Sequence, residues 1–196
     1  MQESTHPISI LKSNRWSVVW NTIAQSRLWI VLLTAIGSLS SVIYAHAPLV
    51  AFGAVAGTTL RPRRALGAAI AIWLANQLYG FGLRHYPQTA ESLAWGLVMG
   101  LGTVLVTAIA ALRPSFSQTT HRGHGIWVAI ALLSGFLVFE GLVLSLGFLL
   151  TGSHVLTWAI LARLLVKDVL WGLGLTVIHL GTAQFLIARD QAEPLC

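Results

Sequence analysis

Apolar residues run together in long stretches along this chain, and the polar positions between them fall at intervals that set its plan. The first run is 28–46, "LWIVLLTAIGSLSSVIYAH", and Pro48 then restarts the chain into "PLVAFGAVAGTTL" at 48–60. Further runs cover 65–83, 91–112 and 126–150, and a last one ends at Ala188. A helix rises about 1.5 Å per residue, so about 20 apolar residues cross the roughly 30 Å of a bilayer's hydrocarbon. The pattern predicts an all-α, polytopic membrane bundle of six transmembrane helices. The second run, at 13 residues, is short for a crossing and is expected to be tilted, re-entrant or enclosed by its neighbours.

Composition agrees with that reading. Hydrophobic residues make up 56% of the chain and charged ones only 9%, against about 25% charged in a soluble domain. The net charge of +6 does not point to nucleic acid, because the basic residues sit at the ends of apolar runs rather than in one basic stripe. They follow the positive-inside rule instead. With the N-terminus in the cytoplasm, Lys12, Arg15, Arg27, Arg61, Arg63, Arg64, Arg113, Arg122 and Arg189 lie inside, nine of the twelve basic residues. Omitting the second run would place 61–64 outside. The expected division is a cytoplasmic tail at 1–27, one six-helix domain at 28–188 and a cytoplasmic tail at 189–196, with both termini inside.

The basic stretch before the first run and the "AHA" at 45–47 have features of a signal peptide. The length of the basic region and Pro48 after the cleavage position argue for a retained helix. Cys196 is the sole cysteine, so no intrachain disulfide forms, and "EPLC" is not a prenylation box.

Ionisable and amide side chains are concentrated toward one side. Counting helix rise from the cytoplasmic ends puts Glu140 about 21 Å up the fifth run, and Asn76 and Gln77 about 17 Å up the third. Asp168 lies about 31 Å from Arg189, at the outer boundary, with Arg163 and Lys167 at or beyond it. His46, Arg84, His85, Glu91 and His154 fall at the outer mouth. Residues 153–166 are expected to form an outer segment. Polar groups inside a bilayer face a cavity or a partner. With Trp95 and other aromatic residues at the same level, Glu140, Asn76, Gln77, Arg163, Lys167 and Asp168 become the candidate ligand-binding residues of an outward-facing pocket. Two readings of Glu140 stand side by side: a pocket residue balanced by a ligand amine, or one half of a structural ion pair with Arg163 or Lys167.

His179 and Asp168 are 11 residues apart, near one helix face but separated by about 16 Å, too far to share a metal or proton. His179 is expected to hydrogen-bond a neighbour. "HRGH" at 121–124 has ligand-like spacing but reads as a Gly-containing cytoplasmic loop, and no metal site or cofactor is expected. Asn76 and Gln77 also read as interhelical glue. HExxH, GxSxG, Walker and CxxC motifs are missing from the sequence, so no catalytic residues are assigned and the chain reads as a non-enzyme. Small residues recur four apart at Ala47/Ala51, Gly53/Gly57, Ala71/Ala75 and Gly96/Gly100, a spacing that lets helices pack closely or dock another membrane protein.

About 200 residues, six helices with both ends inside and an outer polar pocket resemble the substrate-binding S-component of energy-coupling-factor transporters. That resemblance implies capture of a small micronutrient near the outer surface of a bacterial cytoplasmic membrane. It also implies docking on a membrane scaffold through small-residue faces such as Ala47/Ala51 and Gly53/Gly57. The contrasting class is an accessory or assembly subunit of a larger membrane complex, with Glu140, Arg163, Lys167 and Asp168 as structural pairs.

Overall fold

The computed structural model describes residues 7–44, 46–151 and 157–192, with side chains described over 16–44, 46–149 and 157–188. His154, the first residues of the expected outer segment and Cys196 lie outside these ranges. The described residues form eight helices: α1 (Pro7–Gln25), α2 (Arg27–Ile43), α3 (Leu49–Thr59), α4 (Pro62–Gly82), α5 (Ala90–Ala110), α6 (Ser115–Thr119), α7 (His121–Thr151) and α8 (Trp158–Ala192). The all-α class is as expected.

Six complete crossings are not what helix length and composition give. Among the described residues, α4, α5 and α7 are long and apolar enough to cross a bilayer. A fourth span results if α1 and α2, bent by 63° at their junction, count as one. The expected cytoplasmic tail is largely helix α1, which buries Trp16, Trp20, Ile23 and Ala24 in the core. Ser26 breaks the helix and restarts it, its hydroxyl accepting from the Trp29 amide at 3.4 Å as an N-cap.

Leucines and isoleucines face outward in stripes, at Leu93, Leu97 and Leu101 on α5 and at Ile126, Ile130, Leu133 and Leu137 on α7. Such continuous apolar surface is unusual on a soluble monomer and suits helices whose outer faces meet hydrocarbon.

The centre of the bundle is α3. Its 11 residues span only about 16 Å, and every one of them is buried. Five are Ala or Gly, which makes this close enclosure sterically feasible. A Cβ on Gly57 would stand 2.5 Å from both the Ala110 Cβ and the Thr107 carbonyl oxygen of α5, and one on Gly53 would stand 3.1 Å from Thr107 Oγ1. The Gly53/Gly57 pair is therefore a seam between α3 and α5. Gly96 and Gly100 are used likewise, against the Gln77 and Trp73 side chains of α4. Ala47, Ala51, Gly53 and Gly57 are all buried within the chain, so they present no face for a partner protein to dock on.

The helix ends explain many of the arginines. A helix leaves its last carbonyls without intrahelical partners, and away from water another group must supply donors. Arg64 donates to the Gln25 carbonyl at the end of α1. Arg84 donates to the Ser41 and Val42 carbonyls at the end of α2, at 3.1 and 3.3 Å. Arg113 reaches the Gly57 carbonyl near the end of α3 through Nε at 2.9 Å and Nη2 at 2.7 Å. Three helix C-termini are thus each met by an arginine from a different element, a charge that also suits the negative end of the helix dipole.

Candidate functional site

Residues 46–48 lead into α3, with Ala47 and Pro48 buried. This leaves the N-terminal end of α3 enclosed, its first amides short of acceptors. Asp168 of α8 supplies one: its Oδ1 accepts from the Ala51 amide at 3.1 Å. A carboxylate at a helix N-terminus is also favoured by the dipole. Asp168 belongs to the buried stripe of α8 formed with Gly172, Leu175, His179 and Ala183, the 3.6-residue periodicity of a packed helix face. Its neighbour Lys167 lies about 100° around the helix and faces outward from that stripe.

On that side a groove of about 530 Å³ runs along α8, lined by Ala162, Arg163, Val166, Lys167, Leu170 and Trp171, with Tyr44 at the end of α2 as the other wall. The Lys167 ammonium donates to the His46 carbonyl and stands 5.8 Å from the centre of the Tyr44 ring. Trp171 sets the floor, edge-on to Tyr44 at 6.3 Å and tilted against Phe52 of α3 at 5.4 Å. Arg163 is exposed, and its guanidinium engages no other described residue. The groove is an apolar trough with two cations along it.

The expected site residues divide into three groups. Arg163 and Lys167 line the groove. Asp168 (4% exposed) and Glu140 on α7 (7% exposed) are buried behind it. Glu140 is close enough to feel the charges of both Asp168 and Lys167. The direct ion pair considered for Glu140 is not formed, since Lys167 turns to His46 and Arg163 faces the groove. Asn76, Gln77 and Trp95 are elsewhere. Asn76 Nδ2 donates to Ser41 Oγ of α2 at 3.2 Å and Gln77 Nε2 to Asn76 Oδ1 at 3.3 Å. Asn76 thus ties α4 to α2, while Gln77 bonds within α4, and Trp95 sits half-buried on α5, outside the groove lining. Tyr44 and Trp171 are aromatic lining residues that the depth count put at the right level but did not assign to the site. Their signal was weak, since most aromatic residues at that depth read as an interfacial belt.

The opposite end of α3 carries a second group of buried polar residues. "HRGH" is not a loop but the first turn of α7, and His124 is only 1% exposed. His124 and His179 stand ring to ring at 5.1 Å. Trp16 of α1 flanks His124 at 5.7 Å and Trp29 of α2 flanks His179 at 5.3 Å. The Trp29 indole donates to Thr59 Oγ1 at 3.0 Å, closing the row onto α3. Trp16 Nε1, His124 Nε2 and both ring nitrogens of His179 have no hydrogen-bond partner, so the bond expected of His179 is missing. Among the described residues, no group of three or more His, Cys, Asp or Glu could hold a metal ion.

Next to this row, Arg113 occupies the left-handed region at φ 43°, an uncommon backbone conformation for a non-glycine residue. The turn aims its guanidinium between the Gly57 carbonyl and the Trp20 ring, 4.8 Å from the ring centre. Burial pulls the Arg113 pKa down to about 10, still well above neutral pH, so it keeps its charge.

No protein-family model, no curated protein and no solved structure matches the chain.

Proposed function

We propose that this chain is a membrane-embedded capture or transport component that holds a small molecule in the groove between Tyr44 and α8. The observation that carries the reading is the combination of an open apolar trough, an uncommitted Arg163 and an aromatic floor. Small-molecule sites are largely apolar concavities with a few placed polar groups. The topology that goes with it has six crossings and both termini in the cytoplasm of a bacterial inner membrane. The second crossing is made by the enclosed α3 together with residues 46–48, irregular backbone being tolerated at depth where protein surrounds it. Arg27, Arg61, Arg63, Arg64, Arg113 and Arg122 then lie on the cytoplasmic side, and the groove opens near the outer surface. In plan this resembles an energy-coupling-factor S-component.

The accessory-subunit reading keeps one observation of its own. Gly67 has open space beside it, and Ala71 and Ala75 are half-buried, leaving a small-residue stripe on α4 that suits a neighbouring membrane helix.

Native mass spectrometry of the full chain, extracted gently from its own membrane, separates the two. Capture predicts a reproducible small-molecule adduct that disappears in Ala162→Trp, which fills the groove from an exposed position. A bare chain found only with stoichiometric protein partners overturns capture and favours the accessory reading.

A further inference from the structure

On the capture reading, we infer that the ligand is an anionic amphiphile: one acidic head group, carboxylate or phosphate, on a single apolar body. The groove is directional. Arg163 stands toward its outer end, Lys167 lies about 6 Å further along α8, and Trp171 lies about 12 Å from Arg163, two helical turns on. Among the described residues, the rest of the lining is Ala162, Val166, Leu170 and Tyr44, none of them charged. A head group placed between a guanidinium and an ammonium would meet a fork and a point charge, the usual donors for carboxylate and phosphate. The apolar body would then run down toward Trp171.

The sign of the site follows from which charges reach the surface. Asp168 and Glu140 are close to the groove but lie behind it. Asp168 is occupied with the Ala51 amide, and neither carboxylate lines the space. A cationic ligand would therefore meet the cations first. Lys167 is partly committed to the His46 carbonyl and the Tyr44 ring, whereas Arg163 has no such tie. Arg163 is thus the principal head-group contact. A volume of about 530 Å³ falls within the roughly 300–1,000 Å³ of drug-sized sites, which favours a single-chain ligand over a two-chain phospholipid.

The test uses the full chain in nanodiscs of neutral phosphatidylcholine, with binding read by native mass spectrometry and by melting-temperature shift. Decyl phosphate is expected to bind at least tenfold more tightly than decyl maltoside, which has the same tail and no charge. Arg163→Gln should weaken decyl phosphate about tenfold and Arg163→Lys by less, both variants melting like the wild type without ligand. Inorganic phosphate should not compete. Equal binding of the two decyl probes, or unchanged binding in the Arg163→Gln, Lys167→Gln double variant, overturns the anionic head group. Full competition by inorganic phosphate overturns the apolar body. Displacement of decyl phosphate in phosphatidylglycerol nanodiscs overturns the single-chain ligand in favour of a bilayer lipid. A groove-dependent adduct from the native membrane that carries no acid leaves capture standing and removes only this ligand class. Decyl phosphate binding without any native adduct does the reverse.

Discussion

The two ends of α3 solve one problem with opposite means. At each end the helix presents backbone groups deep inside the bundle, and at each end a charged side chain from another element meets them. Asp168 takes the Ala51 amide, and Arg113 takes the Gly57 carbonyl. Beyond those contacts the ends diverge. Near Asp168 lie Glu140, Lys167 and a groove open at the protein surface. Beside Arg113 lies a closed row of Trp16, His124, His179 and Trp29 with little access to solvent. The comparison teaches that burial of an ionisable group does not by itself mark a site. What separates the ends is whether a polar group still faces open space.

Removing the charges that hold α3 should have the largest effect. Asp168→Ala orphans the Ala51 amide and leaves Lys167 without its nearest compensating carboxylate. Together these should cost about 3 kcal/mol, an orphaned buried donor alone costing about 1–3 kcal/mol. Asp168→Asn keeps an acceptor and should lose less than half of that. Arg113→Met should cost about 2 kcal/mol, from a charge-assisted bond of roughly 1.5–3 kcal/mol and the stacking on Trp20. SDS titration of the folded chain in mixed micelles measures all three. If Asp168→Ala and Asp168→Asn prove equal, the carboxylate's charge rather than its acceptance from Ala51 holds that end.

Next in size is the seam that encloses α3. Gly57→Ala drives a methyl into Ala110 and the Thr107 carbonyl, and should cost about 1–3 kcal/mol by overpacking. Gly67→Ala is the matched control, because beyond its own stretch of helix nothing lies within 4 Å of its added Cβ. There the helix should gain about 0.5–1 kcal/mol from the reduced freedom of the unfolded chain. Equal effects at both glycines would mean that α3 and α5 are not in close contact.

These features also show what could be read along the chain. The runs 65–83, 91–112 and 126–150 correspond to Pro62–Gly82, Ala90–Ala110 and His121–Thr151, because each is one long apolar stretch closed by Pro or by polar residues. Enclosure of 48–60 was one of three readings, with tilt and re-entry, that its shortness allowed. Helix α1 was not, since "PISILKSNRWSVVWNTIAQ" mixes Lys, Arg and Asn among the tryptophans that it buries. Nor were the arginine contacts: Arg64, Arg84 and Arg113 find carbonyls 39, 43 and 56 residues away, and loop charge explains those residues without any partner. Asn76 and Gln77 show the limit of counting depth. Helix rise places them near the level of Glu140, but depth says nothing about which neighbour a side chain faces. Tertiary packing turned Asn76 to Ser41 instead of to the groove.

The two groove cations offer a smaller contrast. Lys167→Met removes the donor to the His46 carbonyl and the charge beside Tyr44, and should cost about 1 kcal/mol. Arg163→Gln should change stability by less than about 0.5 kcal/mol, as an exposed residue without a partner among the described residues does. The same SDS titration reads both. A substantial loss in Arg163→Gln would show that this arginine is a structural residue and would undercut its place in ligand binding.

The smallest expected change bears most directly on the closed end. His124→Phe and His179→Phe replace imidazoles that have unpartnered nitrogens with rings of similar shape and no polar atoms. Removing a buried group that has no hydrogen bond is neutral or stabilising, so each variant should lie between no change and about 1 kcal/mol of added stability. His179→Phe, which removes two unpartnered nitrogens against the one known for His124, should gain more. A loss beyond about 2 kcal/mol in either variant would mean that the imidazoles bond to each other, to water or to an ion. In that case the two ends of α3 would be alike in kind, both holding polar groups that serve a partner, and open space would no longer be what distinguishes them. Near-neutral substitutions would instead leave the row of four rings as packing that ties α1, α2, α7 and α8 together around the fixed end of α3. Exchange with a small molecule would then belong to the groove end alone.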